Sequence, residues 1–137
     1  MRRGVWAGTA AVLFAALALT GCTEMVSERC RGSDSEHSCT VSYKRSDGKW
    51  STKLDSNVTH TTATVNGTFT IDSGSGTLLI RGADGEFEYP LSPEEPVVVD
   101  GIELELQGRT GESWLYLEVV ADPEIEGFSA EYDWSTR

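Results

Sequence analysis

Four dipeptides punctuate the chain, Asp47-Gly48, Asn66-Gly67, Asp84-Gly85 and Asp100-Gly101, and each is flanked by residues that alternate apolar with polar. An Asn or Asp followed by glycine supplies the positive φ angles of a two-residue hairpin turn, and alternation with period two marks a half-buried strand. The pattern predicts an antiparallel meander made of hairpins, and each register can be checked against the faces it implies. A turn at Asp100-Gly101 sets Val99 opposite Ile102 and Val97 opposite Leu104, with Val98, Glu103 and Glu105 on the other face. A turn at Asp84-Gly85 sets Ile80 opposite Tyr89, Leu78 opposite Leu91 and Gly82 opposite Phe87, and leaves Arg81 across from Glu88 as a favourable pair. A turn at Asp47-Gly48 brings Val41 to Leu54, Tyr43 to Thr52 and Arg45 to Trp50, with Ser42, Lys44, Lys49, Ser51 and Lys53 behind. The Asn66-Gly67 turn separates the faces less cleanly, with Phe69 and Ile71 opposite Thr64 and Thr62. A slip of one residue in any of these registers would mix apolar with polar.

A ninth strand is predicted over Ser113–Ala121, where Leu115, Leu117 and Val119 alternate with Trp114, Tyr116 and Glu118. Beyond residue 21 the chain holds only four Ala but twelve Thr and nine Val, a bias against helices and toward pleated strands. Ser92-Pro93-Glu94-Glu95-Pro96 carries a capping box and a proline at the first helical position, and Pro96 limits any helix there to one turn. The expected fold is all-β: a small antiparallel meander of about nine strands, as a sandwich or a barrel. Closure depends on edge pairing, which alternation does not encode.

The N-terminus carries a different signal. Arg2-Arg3 precedes an apolar run from Val5 to Leu19, and no charge appears between Arg3 and Glu24. A short basic region, an apolar segment and small residues at the cut describe an export signal. At about 20 residues for a span, the run is too short for a transmembrane helix. Leu19-Thr20-Gly21-Cys22 resembles the lipobox of bacterial lipoproteins. That resemblance implies cleavage after residue 21, diacylation of Cys22 and anchoring in the cell membrane on the side away from the cytoplasm; two acyl chains hold stably where one is marginal. The expected organisation is a lipoprotein signal peptide over 1–21, a polar tether over 22–38 and an all-β domain over 39–137. Cys30 and Cys39 are the only cysteines left once Cys22 is acylated, and in an oxidising compartment they are expected to form a disulfide. Closing a loop of that length contributes roughly 2.5–3 kcal/mol in the loop-entropy model.

Candidate chemistry is sparse. His37 lies in the expected tether and His60 on a Thr-rich strand, with no His-Glu-x-x-His or Gly-x-Ser-x-Gly nearby. No catalytic residue, metal ligand or cofactor is assigned. Asp72-Ser-Gly-Ser-Gly-Thr77 lacks the ligand spacing of an EF-hand and reads as a turn. Asn57-Val-Thr59 and Asn66-Gly-Thr68 match glycosylation acceptors, a reading that the lipobox contradicts. Thr70–Glu88 is similar to one repeat of bacterial β-helix adhesins, but it does not recur, and a solenoid needs several.

Charge is distributed unevenly along the sequence. The whole chain carries 11 Lys and Arg against 22 Asp and Glu, and removal of residues 1–21 takes Arg2 and Arg3 with it. Residues 22–81 hold seven acids and seven bases, whereas 82–137 hold fifteen acids against Arg109 and Arg137. So acidic a chain argues against nucleic acid as a partner. Glu86, Glu88, Glu103 and Glu105 fall on predicted solvent faces and form a candidate acidic surface for a cationic protein or an envelope component. Solubility is the plainer role for the same carboxylates. The functional expectation is a membrane-anchored extracytoplasmic lipoprotein with a non-catalytic binding or accessory domain; the alternatives are a small hydrolase relying on His60 and a structural spacer.

Overall fold

The alternation that begins at Ser113 does not stop at Ala121. It continues to Thr136 as one strand of 25 residues, β10 (Glu112–Thr136). Leu115, Leu117, Val119 and Ile125 point inward on its first half, and Phe128, Ala130, Tyr132 and Trp134 on its second. The change from odd to even positions falls at Gly127, whose φ is +67° and whose missing Cβ would lie 2.1 Å from Asp72 Oδ2. Positive φ and close approach together require glycine here.

A computed structural model describes residues 23–32, 36–56 and 62–136. The other strands are β1 (Thr23–Glu24), β2 (Ser27–Gly32), β3 (Glu36–Ser46), β4 (Lys49–Ser56), β5 (Thr62–Thr70), β6 (Ser73–Arg81), β7 (Glu86–Leu91), β8 (Val97–Glu105) and β9 (Gln107–Arg109). The described residues thus form ten antiparallel strands and no helix. All ladders lead to β10. Its first half lies between β4 and β6, with β7 outside β6; its second half lies between β3 and β5, with β2 outside β3 and β8 outside β5. The two half-sheets share β10 and one core: Trp50 of β4 sits 6.4 Å from Tyr43 of β3 and 6.2 Å from Phe128 of β10, ring centre to ring centre. The arrangement is a sandwich-like meander whose ladders do not close into a barrel.

The all-β class holds, but the hairpins differ from expectation. Asp47-Gly48 does turn the chain, yet β3 and β4 share no ladder: each pairs with a different half of β10. The turn is an arch between layers, docked by Ala121 N–H donating to the Gly48 carbonyl at 2.9 Å. The expected pairs of Val41 with Leu54 and Tyr43 with Thr52 therefore do not form, although the faces are right, since Val41, Tyr43 and Leu54 are buried and all three lysines exposed. Asn66-Gly67 and Asp100-Gly101 are not turns. They meet in one β-bulge, where Asp100 and Gly101 together oppose Asn66 in the β5–β8 ladder. A bulge needs the same αL glycine that a turn needs, and Gly101 has φ +69°. By adding one residue, the bulge also keeps Val97, Val99, Ile102 and Leu104 on one face. In the continuous β5, however, Ala63, Val65 and Phe69 go inward together, so Thr62 and Thr64 do not join Phe69.

Asp84-Gly85 lies in a true hairpin, but its register is shifted by two residues: Arg81 pairs with Glu86 and Ile80 with Phe87. The loop widens to residues 82–85 because it docks on the end of β8. Ala83 N–H donates to the Glu105 carbonyl at 2.8 Å, and Glu105 N–H donates to Asp84 Oδ1 at 3.3 Å. Ser92–Glu95 closes as a tight turn across a Ser92–Glu95 bridge rather than a helical turn. The segment expected to be a tether carries β1 and β2, both paired with β3. β2 escapes a reading based on periodicity because all six of its residues are exposed. The signal segment, Cys22, His60 and Asn57-Val-Thr59 lie outside the described residues.

Candidate functional site

Five strands of the second half-sheet, β2, β3, β10, β5 and β8, cross a common row of inward residues: Cys30, Cys39, Tyr132, Gly67 and Val99. Because side chains alternate along each strand, the neighbours of these five point outward in two parallel rows. One row runs Arg29, Thr40, Glu131, Thr68, Val98; the other runs Arg31, Ser38, Asp133, Asn66, Asp100. Together they line a groove of about 1170 Å³. At roughly 4.8 Å between strands, each row spans about 19 Å.

Several local features shape this groove. The Cys30–Cys39 disulfide is present and joins a directly cross-strand pair, so it clamps β2 beside β3 with Arg29 and Arg31 on either side of it. A Cβ at Gly67 would sit 2.6 Å from Tyr132 Cβ, so only glycine lets β5 lie this close to β10. The bulge at Asp100-Gly101 twists β8 at the far wall, as bulges do where a side chain must be redirected. Beneath the floor, the Tyr132 hydroxyl is buried without a hydrogen-bond partner among the described residues. Burial pushes its pKa well up, and the negative charge of Glu28 adds to the effect.

The groove differs from the outer face of the other half-sheet in how its charges are used. There, Glu118 is buried and accepts Lys49 at 3.4 Å and Arg81 at 2.5 Å, while Glu112 accepts Lys53 at 3.3 Å and Arg109 at 2.8 Å. Hydrogen bonds from Arg109 and then Lys53 hold the Glu112 carboxyl below its ordinary pKa. Lys53 and Arg109 also stand over the Trp114 ring, at 4.6 and 5.6 Å. These six charged side chains are paired among themselves. In the groove, Asn66 Nδ2 donates to Asp133 Oδ1 at 3.3 Å. Arg29, Arg31 and Glu131 have no hydrogen-bonded or ion-paired partner among the described residues.

The four glutamates singled out from the sequence lie on two strands. Glu86 and Glu88 belong to β7 in the first half-sheet, Glu103 and Glu105 to β8 in the second, and these edge strands share no ladder. Glu86 is already paired with Arg81 at 3.1 Å. Part of the sequence asymmetry is offset in space. Because the acidic β10 runs through the middle, its Glu112, Glu118 and Glu124 are met by Lys53, by Lys49 and Arg81, and by Arg45. His37 lies behind the groove, stacked on Trp134 at 4.2 Å, in a side cleft of about 330 Å³ between β2–β3 and β4. Among the described residues no group of three or more His, Cys, Asp or Glu is placed to hold a metal ion. Sequence reading missed Arg29, Arg31, Glu131 and Asp133 as site residues. Their signal was the i±1 spacing around Cys30 and Tyr132, which shows a shared face but not a shared groove.

No protein-family profile and no curated protein matches the sequence. Among solved structures, the capsular polysaccharide assembling protein CapF from Staphylococcus aureus is similar at 14% identity and a TM-score of 0.37, over 85% of this chain and 31% of that one. TmCBM61 in complex with β-1,4-galactotriose is similar at 12% identity and a TM-score of 0.34, over 82% of this chain and 88% of that one. A family two carbohydrate esterase from Cellvibrio japonicus is similar at 13% identity and a TM-score of 0.30, over 82% of this chain and 34% of that one. The chain thus spans about a third of the length of CapF, and likenesses this distant transfer no residue role.

Proposed function

We propose that this chain is a non-catalytic binding domain, held outside the cytoplasmic membrane by a lipidated Cys22, with the five-stranded groove as its ligand seat. The observation that carries the reading is β2. This strand buries none of its residues, yet a disulfide clamps it in place, and what it contributes is Arg29 and Arg31 on the groove wall. A covalent staple on a strand that adds nothing to the core supports a role in presenting side chains. Among the described residues, the groove lining offers hydroxyls but no histidine, which favours binding over hydrolysis. Anchoring suits the layout as well. Thr23, next to Cys22, pairs with Ser46, and the groove rows cross β3 at Ser38 and Thr40. Six or more residues at about 3.3 Å each set the groove some 20 Å along β3 from Thr23.

The test has two arms. Cys22→Ala should leave an unprocessed precursor without acyl chains, seen as a mass shift and loss of metabolic acyl labelling; normal processing and acylation would remove the lipoprotein reading. In the second arm, the purified protein should sediment with cell-envelope material, and Arg31→Ala together with Asp133→Asn should abolish co-sedimentation with the thermal midpoint kept. Retention by the double variant at wild-type level would remove the groove from the account.

A further inference from the structure

We infer that the groove takes a neutral polyhydroxylated chain, a glycan segment laid across the strands, rather than a polyanion or a cationic peptide. The inference rests on the groove being the ligand seat and names the chemistry that fits it. Both signs of charge stand along the same rows without a hydrogen-bonded or ion-paired partner among the described residues: Arg29 and Arg31 on the β2 wall, Glu131 in the floor, and Asp100 at the far side. A polyanion that reached the arginines would lie over Glu131 and Asp133. A polycation that reached those carboxylates would end against Arg29 and Arg31. Like charges at such spacing oppose both ligands.

A vicinal diol meets no such conflict, because each hydroxyl both donates and accepts. Guanidinium groups, carboxylates and the Asn66 amide are planar forks, able to engage two neighbouring hydroxyls at once. Here the donors Arg29 and Arg31 stand on β2, the acceptors Glu131 and Asp133 on β10 and Asp100 on β8, with Asn66 and the hydroxyls of Ser38, Thr40 and Thr68 between them. Val98, 65% exposed at the end of one row, offers an apolar contact for the C–H face of a ring. The span of about 19 Å across five strands suits a short oligomer better than a single sugar. On the outer face of the other half-sheet, by contrast, Glu112, Glu118, Lys53 and Arg81 are spent on one another.

Isothermal titration of the purified protein with neutral hexasaccharides (gluco-, galacto- and manno-configured), with hexalysine and with a polyphosphate tests this. The expected result is saturable binding of at least one neutral hexasaccharide, at least tenfold tighter than its monosaccharide and changed less than twofold between low and high salt. Asp133→Asn and Arg31→Ala should each weaken it at least fivefold, and Glu88→Gln, outside the groove, should not. Thermal midpoints identify any variant that fails to fold; Val98→Asp, at an exposed site, then gives an independent loss. Salt-sensitive binding of hexalysine or polyphosphate alone, removed by the groove variants, would overturn the glycan assignment and keep the binding domain. No binding of any probe, together with no retention on envelope material, would overturn both.

Discussion

At the scale of single residues, the structure separates positions whose neighbours look alike in sequence. Val98 and Val99 are adjacent valines on one strand, yet Val98 is 65% exposed and Val99 only 2%. Val98→Thr should therefore change stability by less than about 0.5 kcal/mol, the usual range for surface substitutions. Val99→Thr places a hydroxyl in the core and should cost roughly 1–3 kcal/mol. Equal losses by chemical denaturation would show that the β8 register is wrong. Tyr43 makes a second test. Burial pushes its pKa up to about 12, opposed by a weaker effect of Ser46. A pKa raised on folding means that the native state holds its proton where the unfolded chain has released it. The associated stability is complete below the ordinary tyrosine value of about 10 and is lost as pH climbs toward 12. Tyr43→Phe should flatten that alkaline decline. It should cost little near neutrality, because the buried Tyr43 hydroxyl makes no hydrogen bond of good geometry among the described residues and Ser46 acts on it only weakly. An unchanged slope between pH 10 and 12 would mean that Tyr43 does not carry the effect.

At the scale of elements, β2 and β10 are opposite cases. β10 is paired along its length with β4 and β6, then β3 and β5, and supplies much of the core. β2 is held by one ladder and one disulfide and buries nothing. Replacing Cys30 and Cys39 by Ser should therefore cost about the 2.5–3 kcal/mol of the loop-entropy model and leave the core cooperative. The loss should be local: by hydrogen exchange, the amides of residues 27–32 become fast while those of 113–119 stay protected. Groove affinity should fall with them, since Arg29 and Arg31 lose their fixed position. Global loss of protection would instead make β2 part of the folding unit. Elements also show what alternation encodes. Lys44, Lys49 and Lys53 were placed correctly in solvent even though the hairpin that was to align them is an arch. Period two reports a face and carries no information on the partner.

At the scale of the molecule, the same distinction governs charge. Fifteen of the acids follow residue 81 in the sequence; seven of them lie on the central strand, where Glu112, Glu118 and Glu124 pair with earlier bases. Arg45 with Glu24 and Glu124, and Arg81 with Glu86 and Glu118, are bridges that no reading of chain halves contains. Most of these pairs are exposed and add little to stability. Their effect is to spend charge on one another, whereas Arg29, Arg31 and Glu131, without such a partner among the described residues, are able to meet a ligand.

From its own letters the sequence determined the all-β class, the inward faces of β3, β4, β6, β8 and the first half of β10, and the pairing of Cys30 with Cys39. Each of these follows from local chemistry: β propensity, alternation about a pleated backbone, and a lone pair of thiols. Tertiary structure alone decided that Asp100-Gly101 bulges against Asn66 instead of turning, because αL glycine satisfies both geometries and only the strand opposite selects between them. It alone decided that β10 lies at the centre and that β2 with no apolar side is nevertheless a strand. It alone decided that residues 29, 31, 131 and 133 line one groove. Those outcomes rest on backbone hydrogen bonds between segments up to about a hundred residues apart, and a backbone hydrogen bond leaves no mark on the identity of the side chains that flank it.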